Sequence, residues 1–121
     1  MENDEMDGGL TRIGNRRRCL EWGEAERLYQ KAADQGDADA QFELGWHYET
    51  GSGVEKDESE AVRWYQKAAD QGHMDAQFEL GWHYETGRGV EEDESEAVRW
   101  YQEAADQGHM DAQSALERLG L

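Results

Sequence analysis

Apolar residues recur along this chain at a helical spacing. Ala61, Trp64, Tyr65, Ala68 and Ala69 fall at i, i+3, i+4, i+7 and i+8, the stripe of an amphipathic helix. Asp57 followed by Glu60 gives that helix a capping-box start, and Gly72 stands where a left-handed C-terminal residue is wanted. A second helix is predicted from Met74 or Asp75 to just before Gly87. Ala76, Leu80 and Tyr84 make one face of it, and Phe78 and Trp82 another. Gly81 in its middle costs about 1 kcal/mol of helix propensity, so close approach of another helix is expected there. Each helix is about 12 residues, or roughly 18 Å, long.

This helix pair is one unit of thirty-six residues. Its cleanest copy runs from Ala61 to Glu96. The copy before it, Ala25 to Glu60, differs only at Glu26, Leu28, Asp37, Ala38, Ser52 and Lys56, and a third begins at Ala97 and runs to Leu121. One pair cannot bury two apolar faces alone, whereas stacked pairs can. The predicted fold is therefore all-α, an α-solenoid of about three antiparallel helix pairs. Residues 1–18 are polar and aperiodic and read as a disordered arm. Residues 19–121 form the repeat domain, with units over 25–60, 61–96 and 97–121 and the last serving as C-terminal cap.

The outer units refine this. Phe78, Gly81 and Trp82 become Ser114, Glu117 and Arg118 in the last unit, while Ala76 and Leu80 persist as Ala112 and Leu116. Val62 becomes Glu26 in the first. Faces that turn polar where no further unit follows are faces that meet a neighbour. On this basis Phe42, Trp46, Phe78 and Trp82 are expected to form inter-repeat core.

The formal net charge is −17, and all of it lies after Arg18. Such a surface disfavours nucleic acid and anionic membranes. No apolar run approaches the ~20 residues of a membrane span, and the N-terminus carries no signal-peptide core. Lone Cys19 excludes an internal disulfide framework, and a cytoplasmic setting is the default. Arg16, Arg17 and Arg18 fall short of a basic recognition run and read as a solvated tail.

Chemistry is sparse. His47 and His83 occupy one repeat position and His73 and His109 another, a spacing that duplication explains and that assigns no metal ligands. Glu79 and His83, at i and i+4, read as sharing a solvated face. The run Glu91 to Glu94 fails as a calcium loop, because Val90 falls where glycine is needed. No nucleophile motif and no phosphate-cradling loop is found. Neither an enzyme nor a cofactor is expected.

Ala-x-x-Trp-Tyr-x-Lys-Ala-Ala-x-x-Gly (61–72), Ala-Gln-x-x-Leu-Gly-x-x-Tyr (76–84) and Gly-x-Gly-Val-x-x-Asp (87–93) recur in register. Together they resemble the Sel-one-like repeat family, a branch of the tetratricopeptide-like solenoids, over about residues 24 to 120. The resemblance implies a right-handed superhelix whose first helices line the concave side, and a role as an adaptor in protein complexes. Glu55 and Glu91 stand where the family often has Pro, which implies a looser loop. The disulfides of a secreted branch are missing.

On that geometry Arg27, Gln30, Lys31, Arg63, Gln66, Lys67, Arg99 and Gln102 line the concave groove. They would grip an acidic or carboxylate-ended protein segment. The competing reading is ion pairing along each helix, Glu60 with Arg63 and Lys67 with Asp70. A further alternative is a structural or self-associating scaffold, consensus-like or engineered, with no peptide ligand.

Overall fold

The structure, a computed structural model, describes residues 27–121. The proposed arm, its arginines, Cys19 and Glu26 lie outside those residues. Six helices are described: α1 over residues 27–34, α2 (Ala38–Thr50), α3 (Glu58–Asp70), α4 (Met74–Thr86), α5 (Glu94–Asp106) and α6 (Met110–Arg118). Consecutive helices pack on one another, α2 on α3, α3 on α4, α4 on α5 and α5 on α6, which is a solenoid of helix pairs. Among the described residues no helix is long and apolar enough to cross a membrane.

The helix starts follow from side chains that accept orphan amides. The Asp57 carboxylate accepts from the Glu60 N–H at 3.1 Å, and Asp93 repeats this with Glu96. Only half the capping box forms, because Glu60 turns its own carboxylate to Arg63. The second, or B, helix of each pair (the first being the A helix) starts on Asp37, whose carboxylate accepts from Ala40 N–H at 3.2 Å, or on histidine: His73 Nδ1 accepts from Ala76 N–H and His109 Nδ1 from Ala112 N–H, both at 3.1 Å. The connector after each B helix is pinned rather than loose. Gly51, at φ 78°, donates to the His47 carbonyl, and the Asp57 N–H closes back on the Tyr48 carbonyl. Gly87 and Asp93 do the same with His83 and Tyr84.

Each pair has its own buried cluster, and the first two clusters are each closed by a residue of the next pair. Trp64 of α3 completes the cluster of Ala33, Ala40 and Leu44 between α1 and α2. Trp100 of α5 completes that of Ala61, Tyr65, Ala68, Ala76 and Leu80 between α3 and α4. Both tryptophans are 4% exposed. Burying about 200 Å² of indole at about 25 cal/mol/Å² gives an upper figure near 5 kcal/mol for each.

This corrects part of the expected inter-repeat core. Phe42 stacks on His73 with ring centroids 4.8 Å apart and tilts against Tyr65, and Phe78 does the same with His109 and Tyr101. Those contacts cross from one pair to the next. Trp46, however, is 44% exposed, and Trp82 is half-buried with the Arg88 guanidinium over its ring at 5.1 Å. Neither belongs to a buried cluster. The seam is filled from the A-helix side by Trp64 and Trp100.

The predicted close approach at the helix B glycines is made by a tyrosine ring. A Cβ on Gly45 would stand 2.7 Å from Tyr65 Cδ1, and one on Gly81 2.8 Å from Tyr101 Cδ1. Both tyrosines are fully buried. The glycines let each ring lie flat against the preceding B helix, which aims its hydroxyl at that helix's C-terminal end.

Candidate functional site

The basic and amide residues anticipated for the groove lie on α1, α3 and α5, the first helix of each pair. Arg27, Lys31, Arg63, Lys67, Arg99 and Gln102 are exposed, and Gln30 and Gln66 half-buried. Arg27, Gln30 and Lys31 share one shallow depression. Gln66 and Arg99 meet in a second, across the seam between α3 and α5, and Arg99 and Gln102 border a third. Lys67 lines none of these depressions. Its ammonium sits 4.9 Å from the Trp64 ring, which Arg63 also overlies.

The strip is largely spoken for within each helix. Gln30, Gln66 and Gln102 each donate to the aspartate four residues on, Asp34, Asp70 and Asp106. Arg63 donates twice to Glu60, at 3.0 and 2.7 Å, and holds that carboxyl below its ordinary range. Arg99 pairs with Glu96 at 3.1 Å and with Glu103 at 3.8 Å. The ion-pair reading is thus realised for Glu60 with Arg63, while Lys67 stacks on an indole. Solvent-facing pairs of this kind are each worth about 0.3–0.5 kcal/mol. An incoming carboxylate can displace them at little cost.

A second polar group lies inside the seam between the first two pairs. Glu49 from the end of α2 accepts a hydrogen bond from the Tyr65 hydroxyl at 2.6 Å. His83 Nε2 faces the same Glu49 oxygen at 3.8 Å, too far for a hydrogen bond. Glu79, one turn before His83 on α4, completes the group. One donor atom from each of Glu49, Glu79 and His83 lies within 4.8 Å of the others. His83 is fully buried, so the solvated face expected for Glu79 and His83 is corrected. It is the inner seam, because the Tyr65 ring sits 5.6 Å from the imidazole and covers it.

The electrostatics follow from burial and crowding. Glu79 is pushed up to about 7, first by burial and then by the charge of Glu49. Glu49 itself is held below the usual range, chiefly by His83 and then by Tyr65, against the cost of burial. Burial works against protonation of His83, but Glu49, the Arg88 carbonyl and Glu79 together outweigh it and raise its pKa. Burial, with Glu49 beside it, pushes the Tyr65 phenol far up, so it stays a donor.

The next seam has the same frame and a different filling. Tyr101 donates to Glu85 at 2.6 Å. Ala115 and Leu119 stand where Glu79 and His83 would recur, and Arg118 takes the place of Trp82. The arginine fork reaches both Glu85 oxygens, at 2.6 and 3.1 Å. Glu85 is held low, first by Arg118. Spacing within a unit could not reveal the inner cluster, because Glu49 lies thirty residues before Glu79 and meets it only when two units stack.

Amides also tie the pairs together. Gln71 donates to Gln41, which donates to the Ala33 carbonyl, and Gln107, Gln77 and Ala69 repeat the chain one unit on. His73 lies 3.0 Å from Asp39 and His109 3.1 Å from Asp75. Each imidazole thus caps its helix with Nδ1 and reaches the previous unit with Nε2–H.

Comparison with known proteins agrees with this architecture. No curated protein matches the chain. Among solved structures, a Sel1 repeat protein from Oxalobacter formigenes is 44% identical, with a TM-score of 0.78, over 79% of this chain and 72% of that one. A protective antigen of uropathogenic Escherichia coli, described as having an SLR fold, is 40% identical, with a TM-score of 0.76. That match covers 78% of this chain but spans only 20% of the antigen. Helicobacter pylori cysteine-rich protein B is 28% identical, with a TM-score of 0.74, over 80% of this chain and 79% of that one. Folds of this kind are generally protein-interaction modules. The Sel1 repeat model matches residues 6–37, 38–73 and 75–109, its first match beginning inside the stretch read above as an arm. With most of its length covered by three such matches, and helix pairs stacked in the same register, this chain belongs to the Sel1 repeat family.

Proposed function

We propose that the protein is a non-enzymatic adaptor that holds an acidic or carboxylate-ended segment of a protein partner along α1, α3 and α5. The observation that carries this reading is positional. In a chain of net charge −17, Arg27, Arg63 and Arg99 recur at one place on three successive first helices, each beside a glutamine. The present partners of Arg63 and Arg99 are weak and solvent-facing. Exchange of Glu60 or Glu96 for a partner's carboxylate keeps the arginine fork satisfied. Glu91, Glu92, Asp93 and Glu96 also line the depression that holds Gln66 and Arg99, so a bound carboxylate has to sit on the arginine itself, clear of those acids, with glutamine left to the segment's backbone.

The test is binding of immobilised peptides rich in Asp and Glu with a free C-terminal carboxylate. Arg63→Glu with Arg99→Glu is expected to abolish capture while circular dichroism and melting stay unchanged. Capture unaffected by the double substitution overturns the groove.

A second reading, self-association, draws on Leu28. It is 67% exposed at the place where Trp64 and Trp100 are buried. Light scattering distinguishes this: a dimer that Leu28→Glu converts to monomer favours self-association over a peptide groove.

A further inference from the structure

We propose that Glu49, Glu79 and His83 form a binding site for one Zn²⁺ ion in the seam between the first two helix pairs. The inference is independent of the peptide groove, which lies on other side chains.

Three observations converge on it. The first is the orientation of His83. Its Nδ1 lies 2.9 Å from the Arg88 carbonyl oxygen. A carbonyl only accepts, so Nδ1 carries the hydrogen and Nε2 presents a lone pair in the neutral ring. A metal-binding histidine is commonly held in this way, its second nitrogen donating to a backbone carbonyl. The second observation is that Nε2 is fully buried and without a hydrogen-bond partner, though it points at Glu49. An orphaned buried acceptor is destabilising, and a cation between it and the carboxylates removes that cost. The third is charge. With Glu49 and Glu79 ionised and His83 neutral, the three carry −2 together inside one seam, a donor atom of each within 4.8 Å of the others. A divalent cation neutralises them.

The donor set points to zinc rather than to calcium or magnesium. Those ions favour six or more oxygens or an octahedral oxygen shell, whereas an imidazole with carboxylates suits Zn²⁺. Three protein ligands and a water complete a four-coordinate site. Ligand distances of 2.0–2.2 Å put tetrahedral donors about 3.3 Å apart. The donor atoms, within 4.8 Å of one another, have to close by up to about 1.5 Å, which rotation of the two glutamate side chains supplies. The Tyr65 hydroxyl steadies Glu49 by donating to the oxygen that faces His83. The next seam serves as an internal control, because Ala115 and Leu119 replace two ligands and Arg118 supplies the positive charge.

The experiment is calorimetric titration of the chelator-treated full chain with ZnCl₂, repeated with CoCl₂ to read the visible bands of four-coordinate cobalt. One equivalent is expected to bind and to raise the melting temperature. Glu79→Gln and Glu49→Gln are each expected to weaken binding about tenfold or more, and His83→Leu about a hundredfold. His83→Leu copies the residue of the next seam, and its fold is checked by circular dichroism. His73→Asn with His109→Asn keeps both helix caps, removes the two half-buried imidazoles outside the cluster, and is expected to leave affinity unchanged. No saturable binding overturns the proposal. So does an affinity within threefold of wild type in both glutamine variants, or loss of binding in the His73/His109 pair, since those histidines then hold the metal.

Discussion

The two inter-repeat seams share a skeleton and differ in what fills it. In both, a tyrosine lies flat on a helix glycine and donates at 2.6 Å to the glutamate ending that helix. In the first, the glutamate then faces His83 and Glu79, which leaves acceptors turned toward one another once the imidazole is neutral and both carboxyls are ionised. In the second it meets an arginine fork, and every strong group has its partner. The lesson is that packing and charge are specified separately here. Thirty-six-residue duplication copies the ring, the glycine and the carboxylate, while one or two substitutions decide whether the seam asks for a cation from solution or carries its own.

The largest test concerns what the seams share. Trp100→Ala is expected to destabilise by about 3–5 kcal/mol in urea unfolding, because it opens a cavity in the cluster between α3 and α4. Trp46→Ala is expected to cost less than about 1 kcal/mol, since that ring is already 44% exposed. Equal losses in the two would contradict the assignment of the seam to the A-helix indoles. Next come the tyrosines. Tyr65→Phe strips Glu49 of its one short hydrogen bond and is expected to cost about 1–3 kcal/mol. Tyr101→Phe leaves Glu85 held by Arg118, so its cost is expected to be smaller. If the order reverses, the inner seam is better satisfied than its geometry indicates.

Acid and base separate the seams by sign. Glu79 is raised to about 7, so in metal-free protein the folded state keeps a proton that the unfolded chain has released. Stability then falls as pH rises through the window from the ordinary carboxylate value to about 7. His83 is also raised, so its contribution is present below its unfolded value and is lost as pH rises through the folded one. Glu85 is lowered and acts oppositely: its contribution is present above its unfolded value and fades as pH falls. Melting temperature in chelator is therefore expected to decline from about pH 5 to about pH 8, with Glu79→Gln flattening the decline. A flat wild-type profile would show that the inner cluster does not titrate in this range. The smallest effect is expected from Arg118→Leu. It removes a solvent-exposed pair and leaves the neutral-to-alkaline limb untouched.

Much of the fold was legible because it depends on local rules. Asp57, Asp93, Gly72 and Gly87 mark helix ends through their own side-chain or backbone chemistry, and each stands where the ends are found. The tyrosine over Gly81 explains a glycine that propensity alone disfavours. What was misread depends on faces that periodicity does not separate. The B helix is apolar on more than one side, so Trp82 looked like a neighbour-facing residue once Arg118 replaced it. Arg118 in fact reaches back to Glu85, and its polarity reflects a charge to be met rather than missing cover. Trp64 and Trp100 were visible as stripe residues, but only stacking shows that each closes the pair before it. The inner cluster was hidden for the same reason. The candidate groove was legible as a recurring position, whereas its depressions and ion pairs required coordinates.

The tyrosine-to-glutamate bond has a bearing on length. Each spans sixteen residues and joins the end of one unit to the start of the next, so whole copies can be inserted without disturbing those on either side. Every inserted copy with the Glu79 and His83 positions intact would add another acid pair to the spine of the array. The arginine at position 118 would still seal the final join. Growth by duplication would thus enlarge the molecule's appetite for counter-ions in step with its reach.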